Sequence, residues 1–361
     1  MTEIRMIHKK EMKEFLESDF FKQSPVIPIS TRRAMAQVDN PNAEEEDTML
    51  YLVFEGEQMV AYLGTFPDKV QTAKGLQKCA WLSCIWVHSS QRGKGLAKTL
   101  VETALRNWNQ RILITEFTPQ ARRLYDKIGV FEDLGVLNGK RYYCRLRMQD
   151  ILPPKSAFWS KQKPALKIVD ALGNAILDLR FLFKSKRLRQ QQFKEVRQIN
   201  ADLASFIQGQ LSDYLFPRSV NYFQWMISQP WLEEGKGENE ESRRYHFTLR
   251  VEDFKWQAFQ LCNQQGEIQA FVLCCRRDGF LKVPVALYKD ATVVADFIHD
   301  FCDRKTHTLT LYDEDIIEHL RLKGLYVKSF KREYLSSFES DFDKATKRLK
   351  LQSSEGDSAF T

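Results

Sequence analysis

Residues 80–107, AWLSCIWVHSSQRGKGLAKTLVETALRN, contain the pattern that decides the fold. The first eight residues are nearly all apolar, which is typical of a central β-strand covered on both faces. Gly93 and Gly95 then interrupt the chain, and Leu96 and Leu100 begin a helical repeat of apolar residues. The stretch predicts a strand, a glycine loop and an amphipathic helix in direct succession.

The glycine loop has the composition of a phosphate-binding site. Two glycines in three residues let backbone amides converge at the start of a helix, where the helix dipole favours an anion. Arg92 and Lys94 add positive charge on either side of Gly93. A glycine pair before a helix is also common in ordinary turns, so the context of the loop has to decide.

The elements around the loop predict a mixed, mostly antiparallel central sheet flanked by helices, an α/β (α+β) fold, for residues 1–150. The Asn138–Gly139 pair is a hairpin signal, because both turn positions need positive φ. The other predicted elements are a hairpin over 48–66, a strand over 111–117, and a helix over 118–128 that Gly129 ends.

The remaining chain divides into three predicted segments. Residues 151–194 predict a basic amphipathic linker helix. Residues 195–350 repeat the order of strands and helices of the first domain without its glycine loop, which predicts a degenerate second copy in tandem with an acceptor-binding or interface role. Residues 351–361 predict a disordered tail.

The linker helix has two interpretations. Its predicted apolar side holds Ile168, Leu172, Ile176, Leu179 and Phe183, and its basic end holds Lys184, Lys186, Arg187 and Arg189. A helix packed between two domains is one interpretation. Membrane contact through residues 165–190 is the other, because basic amphipathic helices lie on anionic membranes.

Composition sets broad limits on class and location. The 361 residues are 43% hydrophobic and 28% charged, which is typical of a globular protein. The net charge of +7 is accompanied by acidic residues throughout and by no nucleic-acid motif, so we expect no nucleic-acid partner. The seven cysteines form no CxxC pair, so we expect no metal site and a reducing compartment. With no signal peptide in the sequence, we expect a cytoplasmic location.

Two motifs at the right separation resemble the GNAT superfamily of CoA-dependent N-acyltransferases. The first is glutamine or arginine, two residues, glycine, one residue, then glycine or alanine, matched by Arg92, Gly95 and Ala97. The second is a helix and turn, matched by Ala121, Leu124, Tyr125, Gly129, Val130 and Phe131. The resemblance covers residues 3–148.

The resemblance implies an acyl-CoA site. It places the CoA pyrophosphate on Arg92, Gly93, Lys94, Gly95, Leu96 and Ala97. It also implies that backbone groups of Ile85 and Val87 line the pantetheine arm, with an amide near Val87 polarising the thioester carbonyl. Backbone donors of this kind contribute strongly to catalysis, because they stabilise the negative charge that develops in the transition state. Acetyl-CoA is the expected acyl donor, and a longer acyl chain stays open.

The resemblance also suggests a general acid. Tyr125 stands where many family members have a phenol that protonates the departing thiolate, and packing of the helix against the sheet is the alternative role. The general base is less defined. Glu116 could accept the proton of the amine directly or through a water, and His88 is a second candidate.

An acceptor-binding cluster is a further hypothesis. Arg218, Tyr222 and Trp225 are spaced for one helical face, where they could bind a carboxylate and stack on a sugar or peptide. An aromatic packing face with Arg218 in a local ion pair is the alternative. The predicted function is transfer of an acetyl group from acetyl-CoA to a primary amine of a small molecule or peptide, in a ternary complex. The alternative is a non-catalytic CoA-binding sensor or scaffold. The sequence leaves the oligomeric state open.

Overall fold

A computed structural model describes residues 2–182 and 192–357. The chain forms two compact units, each assembled from separate stretches of sequence. Unit 1 comprises residues 1–137, 197–254 and 332–361, and unit 2 comprises residues 138–196 and 255–331. This division differs from the predicted succession 1–150, 151–194 and 195–350, because the chain leaves unit 1 after residue 137 and returns to it twice.

The strands and helices follow in chain order. The strands are β1 (Thr2–His8), β2 (Thr48–Glu55), β3 (Gln58–Thr72), β4 (Gly75–Val87), β5 (Ile112–Thr115), β6 (Glu132–Tyr143), β7 (Gln192–Val196), β8 (Glu233–Glu234), β9 (Arg250–Val251), β10 (Phe254–Cys262), β11 (Ile268–Arg277), β12 (Phe280–Tyr288), β13 (Thr308–Leu311) and β14 (Tyr326–Ser336). The α-helices are α1 (Met12–Glu17), α2 (Asp19–Gln23), α3 (Thr31–Val38), α4 (Leu96–Asn107), α5 (Pro119–Ile128), α6 (Met148–Ile151), α7 (Ala157–Lys161), α8 (Lys163–Leu182), α9 (Ala201–Gln210), α10 (Val220–Ser228), α11 (Glu240–Arg244), α12 (Ala291–Phe301) and α13 (Glu314–His319).

The sheet of unit 1 has the strand order β1-β2-β3-β4-β5-β14. Neighbours pair antiparallel except β4 and β5, which run parallel. The pairing of β3 with β4 is the most extensive, and its register shifts between Leu63 and Thr65. The predicted hairpin over 48–66 is present as β2 and β3, and the apolar strand before the glycine loop is the second half of β4.

Each face of this sheet carries its own hydrophobic cluster. Leu50 and Leu52 of β2 belong to one cluster, and Tyr51 and Val53 belong to the other, as expected when successive side chains of a strand point to opposite faces. The first cluster packs against the helices of residues 12–38. The second packs against α4 and includes Tyr125 of α5.

Unit 2 has a sheet of strand order β6-β13-β12-β11-β10-β7, in which β12 and β13 are parallel. The order β10-β11-β12-α12-β13-α13 repeats the order β2-β3-β4-α4-β5-α5 of unit 1. The mixed, mostly antiparallel sheet with flanking helices confirms the predicted fold class, and the repeated element order fits the tandem arrangement.

The hairpin predicted at Asn138–Gly139 is wrong. Both residues lie inside the continuous strand β6, and neither has positive φ. A Cβ at Gly139 would come within 2.7 Å of Phe330 Cζ and 2.9 Å of Tyr312 Cδ1, so the glycine permits close packing instead of a turn. The Asn138 side chain donates to Glu314 Oε1 at 2.8 Å.

The tail predicted as disordered is ordered over residues 351–357. Ser354 and Glu355 are each 1% exposed. The Arg218 guanidinium donates to the Ser354 carbonyl at 3.1 Å, from 136 positions earlier in the chain. The disorder prediction fails because the polar composition of the segment does not reveal its distant ion-pair partners. Residues 358–361 lie outside the described residues.

The predicted linker helix is present over 163–182 as α8. Its apolar side is exposed, with Ile168, Leu172, Ile176 and Leu179 each more than half exposed. The predicted members Phe183, Lys184, Lys186, Arg187 and Arg189 lie outside the described residues. In the part of the chain that the structure describes, no helix combines the length and apolar character needed to cross a membrane.

Candidate functional site

The glycine loop before helix α4 contains two residues with a left-handed backbone conformation. Gly93 has φ +84° and Gly95, the N-cap of α4, has φ +85°. A side chain would be strained at either position. A Cβ built on either glycine would meet no described atom within 4 Å, so the loop faces open space. Glycine is therefore needed here for backbone conformation, and the space in front of the loop is available to a ligand.

This loop has the electrostatics of an anion site. The first amides of an α-helix have no intrahelical acceptor, and Gly95 has no side chain to cap them. The helix dipole adds partial positive charge at the same point. Arg92 and Lys94 are exposed beside it, and Arg92 Nε donates to the Val87 carbonyl at 3.3 Å. The predicted phosphate-binding residues are thus held together at the end of β4.

Strands β4 and β5 diverge next to this loop. Among the described residues, their pairing consists of Ala80 with Ile112 and Trp81 with Leu113. On its other edge, β5 pairs with β14 from Leu113 to Thr115. The second half of β4, which contains Ile85 and Val87, therefore pairs with β3 on one edge and presents its other edge to the gap between the strands.

Tyr125 packs on the same face of the sheet as Ile85, Val87 and Leu96, in one hydrophobic cluster. Its ring lies edge-on to Phe117, with centroids 6.0 Å apart, and to Phe131 at 5.5 Å. The phenol is 4% exposed, and burial raises its pKa to about 12. The structure therefore brings the predicted acid and the predicted acyl-CoA residues to one side of the sheet.

The two predicted bases, Glu116 and His88, each contact neighbouring polar side chains. Glu116 follows β5 with φ +51°, and its carboxylate forms an ion pair with Arg332. Arg332 also donates to the Ser353 carbonyl at 2.8 Å, which joins Glu116 to the C-terminal segment. His88 caps the short 3₁₀ turn Ser89–Gln91, and its Nδ1 lies 2.7 Å from Ser90 Oγ.

The structure places Arg218, Tyr222 and Trp225 together but inside unit 1. Arg218 Nη2 lies 3.0 Å from Asp68 Oδ2 and 2.8 Å from Glu355 Oε2, and its guanidinium lies over the Tyr222 ring. Tyr222 is fully buried, and Trp225 Nε1 donates to the Ala36 carbonyl at 2.7 Å. These contacts match the packing alternative, and they leave no surface on which an acceptor could stack.

A polar cluster on the other face of β4 escaped the sequence reasoning. The Arg33 guanidinium donates to Ser83 Oγ, to Asp357 Oδ2 at 2.8 Å and to Cys84 Sγ at 3.1 Å. Ser83 Oγ also donates to Asp357 at 2.7 Å, and Arg33 donates to the Tyr245 hydroxyl at 3.3 Å. Its members come from four distant segments, so no local motif signals it.

His246 lies beside the same strand. Its imidazole stacks on the Trp86 indole, with centroids 4.9 Å apart and planes 25° apart. Burial lowers the pKa of His246 from its ordinary value. A neutral imidazole next to the candidate donor strand can accept a proton, which makes His246 a base candidate that the sequence did not reveal.

The corresponding position of unit 2 is closed to anions. Helix α12 follows β12 as α4 follows β4, and its N-cap is Asp290. The Asp290 carboxylate accepts a hydrogen bond of 2.8 Å from the Thr292 amide. A carboxylate in this place both occupies a first-turn amide and repels a phosphate.

A comparison with protein-family models gives a match within unit 1. Residues 9–130 match the family model described as Acetyltransferase (GNAT) family. The chain carries a GNAT domain. The matched range includes β4, the glycine loop, α4, β5 and α5. No curated protein matches the sequence.

Solved structures of two acyltransferases resemble most of the chain in fold. A probable N-acyltransferase from Enterococcus faecalis matches with a TM-score of 0.52 and 12% identity, over 93% of this chain and 72% of that one. The N-myristoyltransferase of Saccharomyces cerevisiae, solved with bound myristoyl-CoA, matches with a TM-score of 0.52 and 12% identity, over 93% and 82%. At this identity, the likeness establishes the fold alone.

Proposed function

We propose that the chain transfers an acetyl group from acetyl-CoA to a primary amine, by direct attack of the amine on the thioester in a ternary complex. The observation that carries the proposal is the open Gly93–Gly95 loop at the start of α4, next to the free edge of β4. The loop supplies an anion site, and the gap between β4 and β5 supplies a slot for an extended chain.

In this proposal, residues 92–97 bind the pyrophosphate through backbone amides and the Arg92 and Lys94 charges. The free edge of β4 at Ile85 and Val87 binds the pantetheine arm through its backbone, because peptide groups at an unpaired strand edge are available as donors and acceptors. An amide near Val87 donates to the thioester carbonyl as negative charge develops there.

Tyr125 would act as the general acid. The buried phenol, with its pKa of about 12, is protonated throughout the neutral range and can give its proton to a thiolate. The proton removed from the attacking amine must go to a separate base. His246 fits this role best, because it lies on the face of β4 opposite to Tyr125, whereas Glu116 is held in its ion pair with Arg332.

Two alternatives follow from specific observations. Yeast N-myristoyltransferase, which shares the fold, was solved with myristoyl-CoA, so a longer acyl donor is the second candidate. The burial of Arg218, Tyr222 and Trp225 leaves the acceptor site unassigned. A CoA-binding module without turnover is thus the third candidate.

The first test is calorimetric titration of acetyl-CoA into the wild-type protein and the variant Gly95→Glu. The added carboxylate would enter the open space of the loop and repel the pyrophosphate, so binding should be lost. Gly75→Glu is the matched control, because Gly75 also has positive φ and open space around its Cβ but lies at the opposite end of β4. It should bind as the wild type does.

The second test is CoA thiol release with a panel of amines and with acyl donors of increasing chain length. Release that depends on both an amine and an acetyl donor supports the proposal. Faster release from long-chain donors would select the second candidate. Binding without amine-dependent release would select the module without turnover, and no binding by the wild type would contradict all three.

A further inference from the structure

Arg33 holds a buried positive charge beside the second half of β4. Its side chain is 7% exposed, and its guanidinium lies over the Trp231 ring, 4.3 Å from the centroid. It donates to Cys84 Sγ at 3.1 Å and to the Tyr245 hydroxyl at 3.3 Å. These neutral groups fix the orientation of the guanidinium but do not balance its charge. The planar donor pair of an arginine favours a carboxylate for that purpose.

The carboxylate that the structure supplies is Asp357. Its Oδ2 accepts hydrogen bonds of 2.8 Å from Arg33 and 2.7 Å from Ser83 Oγ. The Asp357 side chain is 21% exposed, whereas Ser354 and Glu355 just before it are each 1% exposed. The segment is therefore anchored by its two buried residues, and Asp357 lies where solvent reaches the cluster.

Gly356 brings this segment to the point where β4 and β5 separate. A Cβ on Gly356 would come within 3.1 Å of Thr115 Cγ2 and 3.3 Å of the Trp81 ring. Trp81 belongs to the short pairing of β4 with β5, and Thr115 is the last residue of β5. Asp357 then contacts Ser83, two residues further along β4. The Asp357 carboxylate therefore lies where the gap proposed for the acyl donor begins.

A buried hydroxyl beside the cluster has no hydrogen-bond partner among the described residues. It belongs to Tyr62, whose side chain is fully buried. Burial raises the pKa of Tyr62, and Cys84, Tyr245 and Arg33 also act on this pKa, so the hydroxyl faces the cluster. Burial raises the pKa of Tyr245 too, so both phenols stay protonated at neutral pH and can donate. A buried donor without an acceptor is costly, so the cluster is built for a more extensive acceptor than Asp357 alone.

The cluster and the proposed base lie on the same face of β4. Cys84 and Trp86 pack in one hydrophobic cluster, while the residues on either side of Trp86 pack in the cluster on the opposite face. Arg33 contacts Cys84, and His246 stacks on Trp86. Because two residues of a strand span roughly 7 Å, a ligand with its carboxylate on Arg33 and its amine at His246 would bridge about that distance.

We propose that Arg33, Ser83 and Tyr245 form the carboxylate-binding part of the acceptor site, and that Asp357 occupies it until the carboxylate of an acceptor takes its place. The inference rests on the proposed acyl transfer and narrows the acceptor to an amine that also carries a carboxylate, such as a short peptide. Asp357 is then a built-in competitor, which lowers the apparent affinity for the acceptor by the fraction of time that the site is free.

The test compares glycylglycine with glycylglycinamide, which has the same amine but an amide in place of the carboxylate. Calorimetric titration of each into the full chain, with and without CoA, measures the affinities. Glycylglycine should bind at least about tenfold more tightly, because only a carboxylate forms charge-assisted hydrogen bonds with the guanidinium.

Asp357→Asn should raise the affinity for glycylglycine by about tenfold and leave the affinity for the amide unchanged, because an asparagine competes less well for the guanidinium. Asp341→Asn is the matched control. It removes an ion pair with Lys74 elsewhere in unit 1, and it should leave both affinities unchanged.

Two further variants test the site from the side of the donors. Ser83→Ala, added to Asp357→Asn, should weaken glycylglycine binding by about tenfold, because a hydrogen bond to a charged group is lost. Arg33→Lys keeps the charge but loses the planar donor pair, so glycylglycine should lose its advantage over the amide. Circular dichroism verifies the fold of each variant, and Ser83→Ala tests the site without altering the buried charge.

Three outcomes would overturn the carboxylate site: no glycylglycine binding, equal binding of the two compounds by Asp357→Asn, or weaker glycylglycine binding by Asp357→Asn than by the wild type. The last would make Asp357 a permanent structural partner of Arg33. Thiol release from acetyl-CoA separates this failure from failure of the proposed function. Equal release with both compounds would uphold acyl transfer and overturn the carboxylate site. Selective binding of glycylglycine without release would uphold the carboxylate site and contradict acyl transfer.

Discussion

The imidazole of His246 and the indole of Trp86 are stacked, with centroids 4.9 Å apart. Trp86 stands between Ile85 and Val87 on β4, and successive side chains of a strand point to opposite faces. The contact therefore fixes His246 on one face of the strand, while Tyr125 packs with Ile85 and Val87 on the other. A proposed base and a proposed acid flank the gap between β4 and β5.

If His246 is the base, His246→Gln should lower kcat with any productive amine by about 100-fold, the lower range for general base catalysis. Wild-type kcat should fall in acidic solution, at a pH below the ordinary pKa of histidine, because burial lowers the pKa of His246 and only the neutral imidazole accepts a proton. The variant should lose this limb. Retention of the limb in His246→Gln would direct attention to Glu116 or His88.

Tyr125→Phe should lower kcat by about 100-fold and leave the affinity for acetyl-CoA unchanged, because the ring still packs between Phe117 and Phe131. Since the phenol pKa is about 12, Tyr125 should produce no loss of activity between neutral pH and about pH 10. Steady-state kinetics and calorimetry measure both. A stable variant with full kcat would assign Tyr125 to packing alone.

The buried Glu355 should make stability depend on pH. Burial raises the pKa of this carboxyl from 4.5 to about 8, so the folded chain keeps a proton that the unfolded chain has lost. The free energy of unfolding should therefore fall as the pH rises from about 4.5 to about 8, by at most about 1.4 kcal/mol per pH unit. Denaturant titrations at several pH values measure the slope.

Glu355→Gln should flatten this slope, since glutamine has no proton to lose. Glu57→Gln, at the exposed turn of the first hairpin, is the control and should leave it unchanged. A slope that survives in Glu355→Gln would mean that another group releases the proton.

Substitution by alanine should have opposite effects on stability at Gly139 and Gly209, neither of which has positive φ. Gly139→Ala should destabilise unit 2 by about 1–3 kcal/mol, because the new methyl group would overlap Phe330 and Tyr312. Gly209→Ala in helix α9 meets no described atom within 4 Å and should stabilise the chain by about 0.5–1 kcal/mol. Thermal melts of both variants verify the contrast, and a neutral Gly139→Ala would show that the aromatic rings move aside.

The sequence predicts local features of this protein well and long-range ones poorly. The glycine loop, the two motifs and the helix ended by Gly129 are encoded within a few residues each, so their structures follow from the pattern. The Asn138–Gly139 pair shows where prediction from local sequence ends. The same two residues are found in hairpin turns and in strands where a glycine lets another side chain pack closely. The position of Phe330 against Gly139 decides between these two structures.

Partners from distant segments account for the other failures. Asp357 lies 324 positions from its partner Arg33. Glu355 Oε2 lies 2.8 Å from Arg218 Nη2, which also lies 3.0 Å from Asp68 Oδ2. No periodicity in the tail indicates these contacts. The sequence predicts that α8 is amphipathic, but it does not predict whether the apolar or the polar side of the helix packs against unit 2. That orientation depends on the backbone of residues 146–149, to which Asp170 and Asn174 of α8 are hydrogen-bonded.

Gly95 is the N-cap of α4 and Asp290 is the N-cap of α12, and the two helices hold the same position in the repeated order of elements. The N-terminus of α4 is open to an anion, whereas the Asp290 carboxylate occupies the N-terminus of α12. The repeat therefore carries a built-in asymmetry. Titration of the whole chain should saturate at one equivalent of acetyl-CoA, and a chain with two like halves would behave as a single-site protein.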